Sequence, residues 1–217
     1  MLTLAITAPP ALSIEAAVSD DSYNISTTVQ GAQPTMVIKG STGQRAYMRF
    51  TIMGKQSPSS PPAQSDHGPV RYDTTSDQIA RATLRVFASA VGTPPVTLQL
   101  FKLTSSWEEL TLKMGVLPQP YPTPVTALIT GTPDATVQVT SGDDYVYFDV
   151  TTLVRAWVDG TANYGVVIQA STTSAASVTL DAKENVTNAH PAVLQIVVEP
   201  ATVPKRGDVS MGIFITP

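Results

Sequence analysis

None of the 217 residues is cysteine, which removes disulfide staples, thiolate nucleophiles and cysteine-ligated zinc. Charge is scarce as well: Asp, Glu, Lys and Arg make up 14% of the chain, against roughly 25% in an average soluble protein. The balance is mildly acidic, at net -4, and there is no basic stripe of the kind that displaces counterions, which argues against a nucleic-acid partner. No apolar run approaches the ~18–20 residues of a membrane span. Met1–Pro10 is apolar but carries no leading basic region, so it reads poorly as a secretory signal. The two histidines, His67 and His190, have no partner at metal-ligand spacing and read as solvated or turn residues. Glu108 and Glu109, taken as strand neighbours, would face opposite sides and could not work as an acid–base pair. With no nucleophile elbow, phosphate loop or zinc motif, the expectation is a protein that is not an enzyme.

The space left by charge is filled with Thr, Ser, Ala and Val, punctuated by 18 prolines and 13 glycines. Thr and Val suit pleated, half-buried surfaces, while Pro and Gly mark turns. The hydrophobic period is two almost throughout. In Arg45–Ile52, Ala46, Met48, Phe50 and Ile52 share one face, opposite Arg45, Tyr47, Arg49 and Thr51. Ala82, Leu84, Val86 and Ala88 alternate in the same way in Ile79–Ala88, as do Val146, Phe148 and Val150, and Leu194, Ile196 and Val198. Further strands are expected at Tyr23–Val29, Thr35–Ile38, Val96–Leu103, Val125–Ile129, Val137–Thr140, Tyr164–Ala170 and Ser177–Ala182. About ten short strands with one apolar face each predict an all-β, antiparallel β-sandwich of the jelly-roll kind.

One segment departs from the period. Leu153, Val154, Trp157 and Val158 recur at helical spacing, with Thr151 or Thr152 as cap and Gly160 as terminator. A single short helix is expected there, plugging one end of the sandwich with Trp157 as its wedge. Ser57–Asp77 and Lys113–Pro124 are proline-rich loops without period. The expected organisation is an N-terminal, strand-forming extension over 1–19, a sandwich over 20–200 and a C-terminal extension over 201–217.

Several segments, taken in order, resemble the DNRLRE-type domain, a jelly-roll module of bacterial surface and secreted proteins related to alginate-type carbohydrate-binding modules. They are RAYMRFTI at Arg45–Ile52, ARATLRVF at Ala80–Phe87, SSWEELTL at Ser105–Leu112 and YVYFDVTTLVRAWVDGTANYGVVIQ at Tyr145–Gln169. AKE at Ala182–Glu184 and HPAVLQIVV at His190–Val198 complete the order. The resemblance implies a jelly roll, an extracellular or cell-surface setting and a role in glycan binding.

Two function classes follow. The first is a structural or assembly subunit of an extracellular filament or virion. Its apolar ends, Leu2, Leu4 and Ile6 at one terminus and Ile213, Phe214 and Ile215 at the other, would pair with other copies by strand addition. The alternative is a carbohydrate-binding or adhesion module that recognises an acidic polysaccharide. Tyr47, Arg49, Arg81 and Arg85, on outward faces, would line a shared groove for it; the plainer alternative is an ordinary polar face. A structural calcium, which such modules often carry, would find oxygen donors in Asp20, Asp21, Asp181 and Glu184 or at Asp143-Asp144, against the simpler reading of solvated turn acids. Trp107 and Trp157 are expected in the core. The RGD at Arg206–Asp208 is a tripeptide that occurs readily by chance, and Asn24 and Asn185 head glycosylation sequons.

Overall fold

The computed structural model describes residues 10–24, 30–52, 70, 74–110, 131–171 and 176–200. These hold β1 (Leu12–Tyr23), β2 (Thr35–Lys39), β3 (Ala46–Phe50), β4 (Ile79–Gly92), β5 (Val96–Lys102), β6 (Ala135–Val139), β7 (Asp144–Asp149), α1 (Thr151–Val158), β8 (Val166–Ala170), β9 (Ser177–Asp181) and β10 (Val193–Val198). All the strand pairs are antiparallel.

The strands form two layers that share β1. Its first half pairs with β10, its second half with β3, and the register slips between Val18 and Asp20, where the strand passes from one sheet to the other. A bulge bends and twists a strand, which is what such a crossing needs. Beyond β10 the first layer continues through β4, β9 and β2, while β7 lies along the opposite side of β4. The second layer runs β1-β3-β8-β5-β6. Phe50, Leu84, Phe148 and Ile196, from both layers, meet in one buried cluster, each at most 2% exposed. The period-two reading of the inward faces therefore holds.

β1 begins at Leu12, so residues 12–19 of the expected extension are strand, with Ala16 and Val18 in the core. The alternation that would have marked it fails at Asp20-Asp21-Ser22, where Asp21 and Ser22 are buried polar groups. The expected strand at Val125–Ile129, the apolar termini, His67 and the RGD lie outside the described residues, as does most of the strand expected from Tyr23.

The helix is where its spacing put it. Leu153, Val154, Trp157 and Val158 are all buried, and Gly160 follows its end at φ 103°. The cap differs from expectation. Val150 is the N-cap and Thr151 is the first helical residue. The Thr151 amide and hydroxyl both donate to Asp149 Oδ1, at 3.0 and 2.6 Å. Those two hydrogen bonds hold the Asp149 carboxyl below its ordinary pKa. Thr151 Oγ1 also accepts the Ala82 amide at 2.9 Å, tying the helix start to β4.

Candidate functional site

Two outward faces carry aromatic and arginine side chains, and they differ in what covers them. On the second layer, Tyr47 and Arg49 point away from the core as their strand alternation requires. The stretch after β5, through Trp107, folds over that face. Tyr47, Phe101, Leu103, Trp107 and Val167 make a second buried cluster in which Tyr47 and Trp107 are both 0% exposed. The Trp107 indole N–H donates to the Tyr164 carbonyl at 2.9 Å. Arg49 is occupied too. Its Nε donates to Asp20 Oδ2 at 2.8 Å, one Nη to the Trp107 carbonyl at 3.2 Å, and its guanidinium lies 5.5 Å from the centre of the Trp107 ring. Burial works against the Asp20 charge, but the Arg49 and Ser19 hydrogen bonds outweigh it and hold that carboxyl below its ordinary pKa.

The expected shared groove therefore does not exist. Tyr47 and Arg49 stand on β3 in one layer, Arg81 and Arg85 on β4 in the other. The first pair is a packing device; the second is on an open face.

That open face is built from β4 and β7. Register sets Arg85 opposite Tyr147 and Phe87 opposite Tyr145. The Arg85 guanidinium lies 5.0 Å from the centre of the Tyr145 ring, and Phe87 meets Tyr145 edge-on at 5.1 Å. Tyr147 stands 6.4 Å from Tyr145 and is 52% exposed, a large aromatic left in solvent. Arg85 is half-buried, its Nε has no hydrogen-bond partner, and it makes no ion pair among the described residues, whereas Arg81 lies near enough to Asp149 to help hold that carboxyl down. Beside these tyrosines lies a cleft of about 280 Å³ between β6 and β7, lined by Gln138, Thr140, Ser141, Asp144, Tyr145 and Tyr147 among others. Its polar lining is hydroxyls, the Gln138 amide and the Asp144 carboxylate.

His190 joins this face, which its sequence context did not suggest. Its ring stacks on Phe87 at 4.0 Å and 24°, and its Nδ1 is 3.1 Å from Oδ2 of the buried Asp181. Asp181 thus faces the histidine and is not among the carboxylates that meet within 4.8 Å of one another. Nor is Asp20, which is committed to Arg49. Asp143, in the β6–β7 turn, and Asp144, the first residue of β7, are both exposed.

Asp21 and Glu184 do come together, and with a residue that strand periodicity missed. Glu109 lies after β5 in turn structure, not on a strand. One carboxylate oxygen from each of Asp21, Glu109 and Glu184 falls within 4.8 Å of the others. The Asp21 amide donates to Glu109 Oε1 at 2.9 Å, and the Lys183 amide to Asp21 Oδ2 at 2.7 Å. The Lys183 ammonium touches Glu109 and Glu184. Burial opposes that ammonium's charge, but the two carboxylates hold its pKa above the ordinary lysine value. One cation among three carboxylates leaves the cluster short of positive charge. Asp21 is 1% exposed, and burial, with the nearby Glu184, pushes its carboxyl up to about 7 despite the Lys183 amide. Asp21 Oδ1 and Glu184 Oε2 are buried without a hydrogen-bond partner. Hard oxygen donors with unfilled valences fit a divalent cation such as calcium.

Neither sequon presents a free asparagine. Asn24 accepts the Arg45 amide at 2.7 Å, and Asn185 accepts the amides of Thr187 and Asn188 at 3.2 and 3.1 Å; both asparagines are buried.

Against this geometry, the chain matches the family model described as carbohydrate-binding module family 96 over residues 12–196. The chain belongs to carbohydrate-binding module family 96. The match starts where β1 starts and takes in both sheets, the open face and the carboxylate cluster. The family is one of carbohydrate-binding modules, a binding family and not a catalytic one. No curated protein matches the chain significantly. No helix among the described residues is long and apolar enough to cross a membrane.

Proposed function

We propose that this member of family 96 binds an acidic polysaccharide through the outer face of β4 and β7. The observation that carries the reading is the Arg85–Tyr145–Tyr147 arrangement. It sets a guanidinium with no carboxylate partner among the described residues beside two tyrosines, the outer one 52% exposed. A planar aromatic rewards the apolar face of a sugar ring, and a guanidinium takes a carboxylate through two parallel hydrogen bonds. The β6–β7 cleft offers hydroxyls and an amide for the sugar's own hydroxyls. The DNRLRE-type likeness of the sequence points the same way. An adhesion role at a cell surface is the setting this reading favours. The assembly-subunit reading rests on Leu2–Ile6 and Ile213–Ile215, outside the described residues, and the family match does not speak for it.

The carboxylate cluster serves the same protein as a clamp. A calcium ion held by Asp21, Glu109 and Glu184 would join the second half of β1, the stretch that covers Tyr47 and the turn after β9. It would supply the positive charge that Lys183 alone does not.

Affinity electrophoresis tests the reading, with a polyuronate and an uncharged glucan in parallel gels. Retardation by the polyuronate alone, lost in Arg85→Ala and in Tyr147→Ala, is the expected result. Equal retardation of all three proteins would refute the assignment of the face.

A further inference from the structure

His190 carries an inference that rests on this reading and deepens it. Its imidazole is fixed from two sides. Phe87 stacks against one ring face at 4.0 Å, and Asp181, 1% exposed, takes Nδ1 at 3.1 Å. That contact is made by Oδ2; Asp181 Oδ1 is buried with no hydrogen-bond partner, so the hydrogen bond of this carboxylate among the described residues is the one to the histidine. A carboxylate on one ring nitrogen sets the tautomer: Nδ1 carries the proton, and Nε2, directed away from Asp181, is the nitrogen left for a ligand. The side chain is 33% exposed. Tyr145 stands edge-on to it at 5.9 Å and to Phe87 at 5.1 Å, while the Arg85 guanidinium is 5.0 Å from the Tyr145 ring centre. A guanidinium and an imidazole thus flank one tyrosine, within reach of a sugar resting on the Tyr145–Tyr147 pair.

We infer that His190 is a specificity-determining residue of the glycan-binding face. Neutral, its Nε2 can only accept a hydrogen bond, and so takes a sugar hydroxyl. Protonated, the same nitrogen becomes a charged donor and takes a sugar carboxylate. Histidine is the side chain whose charge changes between about pH 5 and 8. Uronate carboxylates, like those of proteins, lose their protons near pH 4, so the ligand's charge is constant over that range. The face therefore prefers acidic over neutral sugars most strongly at mildly acidic pH. Among the described residues, the titratable groups in contact with the ring are Asp181 at the end of β9 and Tyr145 on β7; beyond Tyr145 stand Arg85 on β4 and Asp144 and Tyr147 on β7. Among the described side chains that touch the imidazole, Asp181 is the one carboxylate, and it is buried. Asp181 acts through His190 and is a positioning residue.

The test is isothermal titration of the full chain with a polyuronate and with its carboxyl-reduced, neutral form, at pH 5.5 and pH 8, calcium being present throughout. Wild type should bind the polyuronate about five- to tenfold more tightly at pH 5.5, and the neutral polymer equally at both pH values. His190→Asn keeps an amide donor for Asp181 but has no Nε2. It should bind the polyuronate at pH 8 as wild type does and lose the gain at pH 5.5. A gain that survives in His190→Asn overturns the inference, as does a wild type whose affinity ignores pH. Arg85→Ala separates the two levels. Binding that falls in this variant at both pH values upholds the face even where the histidine fails, whereas wild type that binds no polyuronate at either pH sinks face and inference together. Should His190→Asn not fold, the imidazole of wild type can be followed by NMR: saturating polyuronate should move its titration to higher pH, and an unmoved titration contradicts the inference.

Discussion

The two outer faces of the sandwich carry nearly the same residue types and have opposite fates. On β3, Tyr47 and Arg49 alternate outward from the core; on β4 and β7, Arg85, Tyr145 and Tyr147 do the same. The first face is roofed by the Trp107 stretch, so its tyrosine is fully buried and its arginine is tied to Asp20 and a backbone carbonyl. The second face has no such roof among the described residues: Tyr147 stays 52% exposed and Arg85 finds a ring rather than a carboxylate. Pointing away from a core is a property of the strand. Being open to a ligand is a property of what the rest of the chain lays over it.

The largest expected effect tests the roof. Trp107→Ala removes the 0%-exposed ring that Tyr47 and Arg49 pack on, and should cost about 3–5 kcal/mol in urea unfolding, the usual range for a buried aromatic. A loss below about 1 kcal/mol would mean that the second cluster is not a core at all. Next comes the clamp beneath that roof. Calcium should raise the thermal midpoint by several degrees, and Asp21→Asn or Glu109→Gln should abolish the rise. An unchanged midpoint in wild type would remove the cation from the account.

A pH series without calcium sharpens the same point. Asp21 is held up to about 7 in the folded chain, against an unfolded value near 3.8. The folded state therefore binds this proton more readily than the unfolded one. The sign follows: the Asp21 contribution is most favourable below about pH 4 and is lost as pH rises to 7, so metal-free protein should weaken over that window. Asp21→Asn should flatten the slope, and a slope unaffected by that change would contradict the assignment. The smallest expected effect lies at the helix. Thr151→Ala should cost about 1 kcal/mol by releasing the Ala82 amide and the Asp149 carboxylate, measured by the same unfolding, with glycan affinity unchanged.

How much of this was legible in the sequence divides along the same line. Period two found the inward faces, because one-sided burial is written into every second residue: Ala46, Met48 and Phe50 on β3, and Leu84 and Val86 on β4, all lie in the core. The second half of β1 escaped, since its buried Asp21 finds its partners, Glu109 and Lys183, far along the chain, which no local pattern displays. Roofing was invisible for the same reason: Tyr47 and Tyr147 look alike until Trp107 is placed. Glu109 had a signal that went unread. It is the second glutamate of the SSWEELTL segment, and Glu184 closes the AKE segment, so two resembling blocks far apart in sequence meet at one cluster. His190 had none, because its stacking on Phe87 and its contact with Asp181 arise from the turn between β9 and β10.

The comparison of faces reduces to a pair of arginines. The decisive measurement is the polyuronate affinity of Arg85→Ala beside that of Arg49→Ala, with thermal unfolding of both. The account predicts that Arg85→Ala loses at least tenfold in affinity at an unchanged midpoint, while Arg49→Ala unfolds earlier and binds as wild type does. The reverse pattern, affinity lost with Arg49 and kept without Arg85, would place the ligand on the other sheet and contradict the account.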